Sequence, residues 1–193
     1  MMKRLITAAL LVSSLSACVP LVVAGGVAVG AWIGSDPRPS LTIKQDTTLG
    51  ANISARLVDE WKERAHVTVN TFNGQVLLTG EVPDAAAKAR AEEIARSFAQ
   101  TKRVFNELYV GPVSTTSERL NDTQLTTRVK SALLTATGDA SAVHLQVITE
   151  RSTVYLLGMS QPALADKAAN LAASVSGVSR VVKLVQPLQP LPQ

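Results

Sequence analysis

Cysteine and histidine are almost missing from this chain of 193 residues, which holds one cysteine, Cys18, and two histidines, His66 and His144. One cysteine excludes an intramolecular disulfide, so the folded body must stand on its core alone. It also leaves any metal centre without sulfur partners, and such a centre needs several converging ligands. Neither a metal site nor another cofactor is expected, and the two histidines are read as structural or surface residues. No G-x-S-x-G elbow is present, which removes one route to an activated serine. Gly25, Gly26, Gly30 and Gly34 lead into no Lys-Ser/Thr pair, so they make no phosphate loop. Glu81 and Asp84 flank a strand-to-helix turn and read as a solvated charge and a helix cap. Glu92 and Glu93, adjacent on a helix, point in different directions. No catalytic constellation forms, and an enzyme is not expected. Excess charge is missing too: the formal net charge is +4, too little to indicate nucleic acid. Neither half carries the GXXG backbone clamp of a KH module between helices.

What the chain does have begins at its N-terminus. Lys3 and Arg4 precede an uncharged stretch from Leu5 to Ala17, and small residues then lead to Cys18. That is the layout of a secretory signal, with charged, apolar and cleavage regions in order. Leu15-Ser16-Ala17-Cys18 closely resembles a bacterial lipobox, whose thiol receives diacylglycerol and becomes the mature N-terminus. Val19 follows, and no aspartate stands there as an inner-membrane retention signal. By resemblance to sorted lipoproteins, the expected place is the outer membrane, lipid-anchored and facing the periplasm. Several acyl chains make such an anchor durable, since each buried methylene contributes about 0.8 kcal/mol. A second reading takes Leu5 to Ile33 as one transmembrane helix, because about 20 apolar residues suffice to span. Pro20 and the four glycines weigh against it by helix propensity, although Gly26, Gly30 and Gly34 keep a small-xxx-small spacing.

Beyond residue 43 the chain reads as an internal repeat. Leu49, Ile53 and Leu57 fall at helical spacing, and Leu125, Val129 and Leu133 follow 76 residues later. Val67 and Val69, then Val76 and Leu78, predict two half-buried strands. Leu145 and Val147, then Val154 and Leu156, repeat them. Gly80 and Gly158 close the second strand in each copy. Asn73-Gly74 predicts a tight hairpin with positive φ at both central residues. The stripe Ala87, Ala91, Ile94, Ala95, Phe98 recurs as Leu164, Ala168, Leu171, Ala172, Val175, with Pro83 and Pro162 at the helix starts. Final strands run over Val104 to Val110 and Val181 to Val185. The fold class is therefore α+β: two tandem α-β-β-α-β domains, each a three-stranded sheet with two helices on one face. The expected divisions are a signal peptide (1–17), a lipidated N-terminus and apolar Gly-rich tether (18–43), a first domain (44–110), a linker (111–120), a second domain (121–186) and a Pro-rich tail (187–193), with Gln186 onward extended and unpaired. Each domain is small enough to gain from packing on the other.

This tandem, with a glycine after the second strand and a lipobox in front, resembles the BON domains of the dual-BON outer-membrane lipoproteins, the division- and outer-membrane-stress-associated lipid-binding protein family. The likeness is carried by Ala17-Cys18-Val19, Ser35-Asp36-Pro37-Arg38, Val104-Phe105-Asn106-Glu107, Asn121-Asp122-Thr123 and Thr126-Thr127-Arg128-Val129-Lys130-Ser131.

Charge agrees with a membrane-facing second half. Residues 44–110 carry nine basic and nine acidic groups, whereas 119–193 carry seven and four, a net of +3. The first helix of the second copy buries Leu125, Val129, Ala132, Leu133 and Ala136. Its far side presents Gln124, Thr127, Arg128, Lys130, Ser131 and Leu134, and a leucine among basic and small polar residues suits an interfacial contact. The other reading is that Leu134 tucks against the linker or the other copy while Arg128 and Lys130 only solvate the helix. The family resemblance implies anionic phospholipid binding through this helix, with those six residues as the contact set. Relatives can carry an aromatic where Gln124 stands, which implies a shallower contact here that depends more on charge. The expected function is phospholipid binding in support of envelope integrity. The alternative is a periplasmic adaptor for envelope-assembly or division proteins.

Overall fold

A computed structural model describes residues 31–33, 36, 38–137 and 143–188. The elements in chain order are β1 (Ala31–Ile33), α1 (Ser40–Trp61), β2 (His66–Phe72), β3 (Gln75–Val82), α2 (Ala85–Arg96), β4 (Arg103–Asn106), β5 (Tyr109–Val110), α3 (Thr116–Thr137), β6 (Val143–Glu150), β7 (Thr153–Ser160), α4 (Pro162–Ser174) and β8 (Arg180–Pro187). In each copy a hairpin pairs the first two strands antiparallel, and the last strand returns parallel to the hairpin's second strand. The central strands are thus β3 and β7.

Two helices cover one face of each sheet. Leu49, Ile53, Leu57 and Trp61 of α1 meet Ala87, Ala91, Ile94 and Ala95 of α2 over Val69, Val76, Leu78 and Val104. Leu125, Val129 and Leu133 meet Ala168 and Ala172 over Leu145, Val147, Val154 and Leu156. These are the stripes the repeat predicted. Alanines on α2 and α4 let those helices approach the strands closely.

The opposite faces of the sheets pack on each other. Phe72 and Leu77 from the first sheet form one buried cluster with Ile148, Tyr155, Leu157 and Leu184 from the second. The layer order is helices, sheet, sheet, helices, so β3 and β7 are buried on both sides rather than half-buried. Along β3 the buried layer passes from Leu77 through Thr79 to Glu81, apolar at one end and polar at the other.

Several elements depart from expectation, each for a local reason. α3 starts at Thr116, inside the stretch read as linker, because Thr115 and Glu118 form a reciprocal capping box. The Thr115 N–H donates to the Glu118 carboxylate at 2.6 Å, and the Glu118 N–H donates to Thr115 Oγ1 at 3.2 Å. Pro83 precedes the start of α2, where Asp84 is the cap and accepts from the Ala87 N–H at 2.7 Å. The strand expected over Val104 to Val110 splits into β4 and β5 because Leu108 between them turns into the core. Gln186 and Pro187 belong to β8 and pair with Met159 and Ser160. Gly80 and Gly158 lie within their strands rather than closing them. A Cβ at Gly80 would stand 2.0 Å from the His66 carbonyl oxygen, and one at Gly158 2.1 Å from that of His144. Only glycine permits so close an approach.

The second sheet gains a fourth strand from the segment read as tether. β1 pairs antiparallel with β6, placing Ala31 opposite Val147 and Ile33 opposite Leu145. A transmembrane helix reaching Ile33 is therefore incorrect at its end, and the rest of that reading, like Cys18, lies outside the described residues. Arg38 then ties the same segment to the first domain. Its guanidinium bonds Asp36 and Asp46 and stacks 4.6 Å from the centre of the Phe72 ring.

Candidate functional site

The outer face of α3 is set by its inner one. Burial of Leu125, Val129 and Leu133 turns Leu120, Gln124, Thr127, Ser131 and Leu134 to solvent. These five residues recur at helical spacing and make one stripe. Leucines occupy both ends, Leu120 57% and Leu134 47% exposed. Leu120 was not in the expected set because it falls in the supposed linker. The hydroxyls of Thr123, Thr127 and Thr135 donate to the carbonyls of Arg119, Thr123 and Ser131, one turn back. Polar groups already bonded within the helix cost less to withdraw from water.

Arg128 and Lys130 flank the stripe on opposite sides, since two residues turn about 200° around the axis. Arg128 Nη1 donates to the Ser176 carbonyl at 3.0 Å, just past the end of α4, while Lys130 is half-buried on the other flank. The six expected residues are thus one exposed row of four with a cation on either side. No acidic residue occurs from Thr123 to Thr137, whereas the equivalent part of α1, residues 47–61, carries Asp59 and Glu60 beside Arg56. β1 contacts α3, so the chain arriving from Cys18 joins the protein next to this helix.

A second cluster lies where the sheets meet, and sequence reasoning missed it. Glu81 is 0% exposed, not the solvated charge expected. Its register partner is His66, whose Nδ1 lies 3.1 Å from Glu81 Oε2. Ser114 Oγ donates to the same oxygen at 3.3 Å, and Arg151 Nη1 stands 3.5 Å from Glu81 Oε1. Burial pushes the Glu81 carboxyl up, but the bonds from His66 and Ser114 outweigh it and hold it below the usual range. The bond to Glu81 raises His66, against burial. Glu150 enters from β6 of the second domain, and burial, with the charges of Glu81 and Asp122 nearby, pushes it up to about 7 despite His66. The available signal was the pairing of β2 with β3: a hairpin closed at Asn73-Gly74 sets position 66 opposite 81.

Two small α/β units that share one α-β-β-α-β order and pack sheet to sheet define the class of protein. Residues 45–112 and 121–186 each match the BON domain, and the chain belongs to the BON-domain family as a tandem of two copies. It is 36% identical over 172 residues to the outer membrane lipoprotein DolP of Haemophilus influenzae, covering 88% of each chain. It is 34% identical over 156 residues to the 21 kDa hemolysin of Actinobacillus pleuropneumoniae, covering 80% of each. Among solved structures, CdsD of the type III secretion system of Chlamydia trachomatis aligns with a TM-score of 0.30 and 15% identity, over 71% of this chain and 90% of that one. Among the described residues no helix is long and apolar enough to cross a membrane.

Proposed function

We propose that this protein is an outer-membrane lipoprotein, acylated at Cys18 and facing the periplasm, whose second BON domain binds anionic phospholipid through the outer face of α3 and so supports envelope integrity. The observation that carries this reading is the stripe from Leu120 to Leu134, free of acidic residues and flanked by Arg128 and Lys130. Exposed leucines supply apolar area for the headgroup boundary, and the two cations attract anionic lipid. The likeness to the outer membrane lipoprotein of Haemophilus influenzae, which runs nearly the whole length, supports the address.

The position of β1 supports a two-point attachment. Twelve residues lie between Cys18 and Ala31, a reach of at most about 45 Å when fully extended. An anchor on that leash keeps α3 near the same leaflet, so a weak intrinsic affinity is enough. The first domain, neutral overall, braces the second through the sheet-to-sheet contact.

Flotation with liposomes tests this reading, using a body that begins at Ala31 so that β1 is kept and the acylated cysteine is absent. Flotation with anionic but not zwitterionic vesicles, weakening as salt rises, is expected from the screening of Arg128 and Lys130. Leu134→Asp and Lys130→Glu should each reduce flotation several-fold without lowering the melting temperature appreciably. A body that never floats would leave the acyl chains as the sole membrane contact. In that case the adaptor reading, with envelope-assembly or division proteins as partners, takes its place.

A further inference from the structure

We infer that His66, Glu81 and Glu150 form a divalent-cation site between the two domains, with the donor set that zinc takes. One nitrogen and two carboxylate oxygens, one from each residue, all lie within 4.8 Å of one another. Tetrahedral zinc with imidazole and carboxylate bonds near 2.1 Å places its donors about 3.4 Å apart. The 3.1 Å between His66 Nδ1 and Glu81 Oε2 is already close to that spacing, and the three residues come from three strands of two sheets. Among the described residues, nothing donates a hydrogen bond to the Glu150 carboxylate or pairs with it as a cation within salt-bridge distance. It faces Glu81 in the polar end of the interdomain layer, with the charges of His66 and Arg119 acting on it only at a distance and failing to offset its burial.

The surroundings suit an ion as well. Glu150 lines a cleft of about 400 Å³ between the domains, together with Gly80, Glu107, Tyr109 and Arg151. Of the three ligands Glu150 alone lines that cleft, and the His66 side chain, 32% exposed, opens the cluster to solvent. Of the nearby arginines, Arg119 Nη1 donates to the Ser114 carbonyl at 2.7 Å, while Arg151 stacks 4.0 Å from the centre of the Tyr109 ring and reaches Glu81 only through Oε1 at 3.5 Å, not through the oxygen beside His66. Ser114 Oγ, on Glu81 Oε2, is placed to orient that ligand. Because the ligands span both domains, an ion bound here clamps one sheet to the other and stabilises the docked form by mass action.

Zinc chloride titrated into the full chain purified in detergent tests the site, with heat of binding and melting temperature as readouts. Saturable binding of one ion per chain and a rise in melting temperature are expected. Glu150→Gln and His66→Gln should each weaken zinc binding at least tenfold. His144→Gln, altered at the equivalent position of the other copy, should bind as tightly as the unaltered chain. The metal-free melting temperature of each variant shows that it has folded, and two independent ligand variants keep the test alive if one does not. No saturable zinc binding, unchanged binding in both ligand variants, or loss in His144→Gln instead would overturn the assignment.

Discussion

Asp46 and Asp122 stand at the same place in their two copies, and each uses both carboxylate oxygens on the N–H groups of a two-residue hairpin turn. Asp46 accepts from Asn73 and Gly74, and Asp122 from Arg151 at 2.8 Å and Ser152 at 2.9 Å. The turns need the help unequally. Asn73-Gly74 has the preferred residues for positive φ at both positions. Arg151 and Ser152 adopt φ of 50° and 57° with side chains that resist that region. Hydrogen bonds to a charged acceptor contribute about 1.5–3 kcal/mol, so Asp122→Ala should destabilise by roughly 2 kcal/mol. Ser152→Gly should restore part of this by relieving the left-handed strain, by about 0.5–1 kcal/mol. Urea unfolding of the single and double variants checks both, and a neutral Asp122→Ala would show that the turn holds itself. The aspartates share the 76-residue offset of the leucine stripes, so they were visible in the repeat. Their role was not, because a carboxylate on a helix says nothing of a turn 27 residues away.

At the scale of elements, amphipathic helices were legible because their apolar stripes meet a core from one side only. The hairpin with Asn73-Gly74 and the Asp84 cap were legible because their chemistry is local. β3 and β7 were harder. Val76 and Leu78 alternate as a half-buried strand should, yet Leu77 and Leu157 between the inward residues are buried too, against the other sheet. That second burial is a tertiary fact, and it is what took Glu81 from solvent. β1 was illegible for a related reason, since three residues pair with a strand more than a hundred positions onward. The segment following β1 carries its own prediction. The Asp36 carboxylate accepts from Arg38 Nε at 2.9 Å and Nη2 at 2.6 Å. Burial opposes its ionisation, but the Arg38 bonds outweigh burial and lower it from its ordinary value of 3.8. A lowered value in the folded state means that the unfolded chain binds more protons on the acid side. The stability from Asp36 is thus present above 3.8 and lost as pH falls through the folded value. Asp36→Asn should lower the melting temperature at neutral pH, and the gap to the unaltered chain should close in acid. A gap independent of pH would mean that Arg38 is held by Asp46 and Phe72 alone.

At the scale of the whole molecule, neither domain has a large core, and what each lacks is supplied by the other. A unit of about 65 residues buries too little surface to be more than marginal by itself. Here the sheet faces turned away from the helices meet through Phe72, Leu77, Ile148, Tyr155, Leu157 and Leu184. Each of the larger side chains contributes about 1.5–3 kcal/mol by leaving water. Polar contacts at the rim fix the docking: Arg180 Nη2 donates to Glu107 at 2.8 Å, and Asn73 Nδ2 to Gln186 at 3.0 Å. The exposed ion pair adds little, about 0–1 kcal/mol, so the apolar cluster carries the coupling. Two domains joined this way should unfold as one. Calorimetry of the unaltered chain should give a single transition whose calorimetric and van't Hoff enthalpies agree. Leu157→Ala, which opens a cavity between the sheets, should cost about 2–5 kcal/mol and move that whole transition down. Leu77→Asp puts a charge against the second sheet with no partner, and should separate the transition into two. Two transitions in the unaltered chain, with only the second domain's moved by Leu157→Ala, would show the domains to be independent. In that case the first domain could not brace α3 against a membrane.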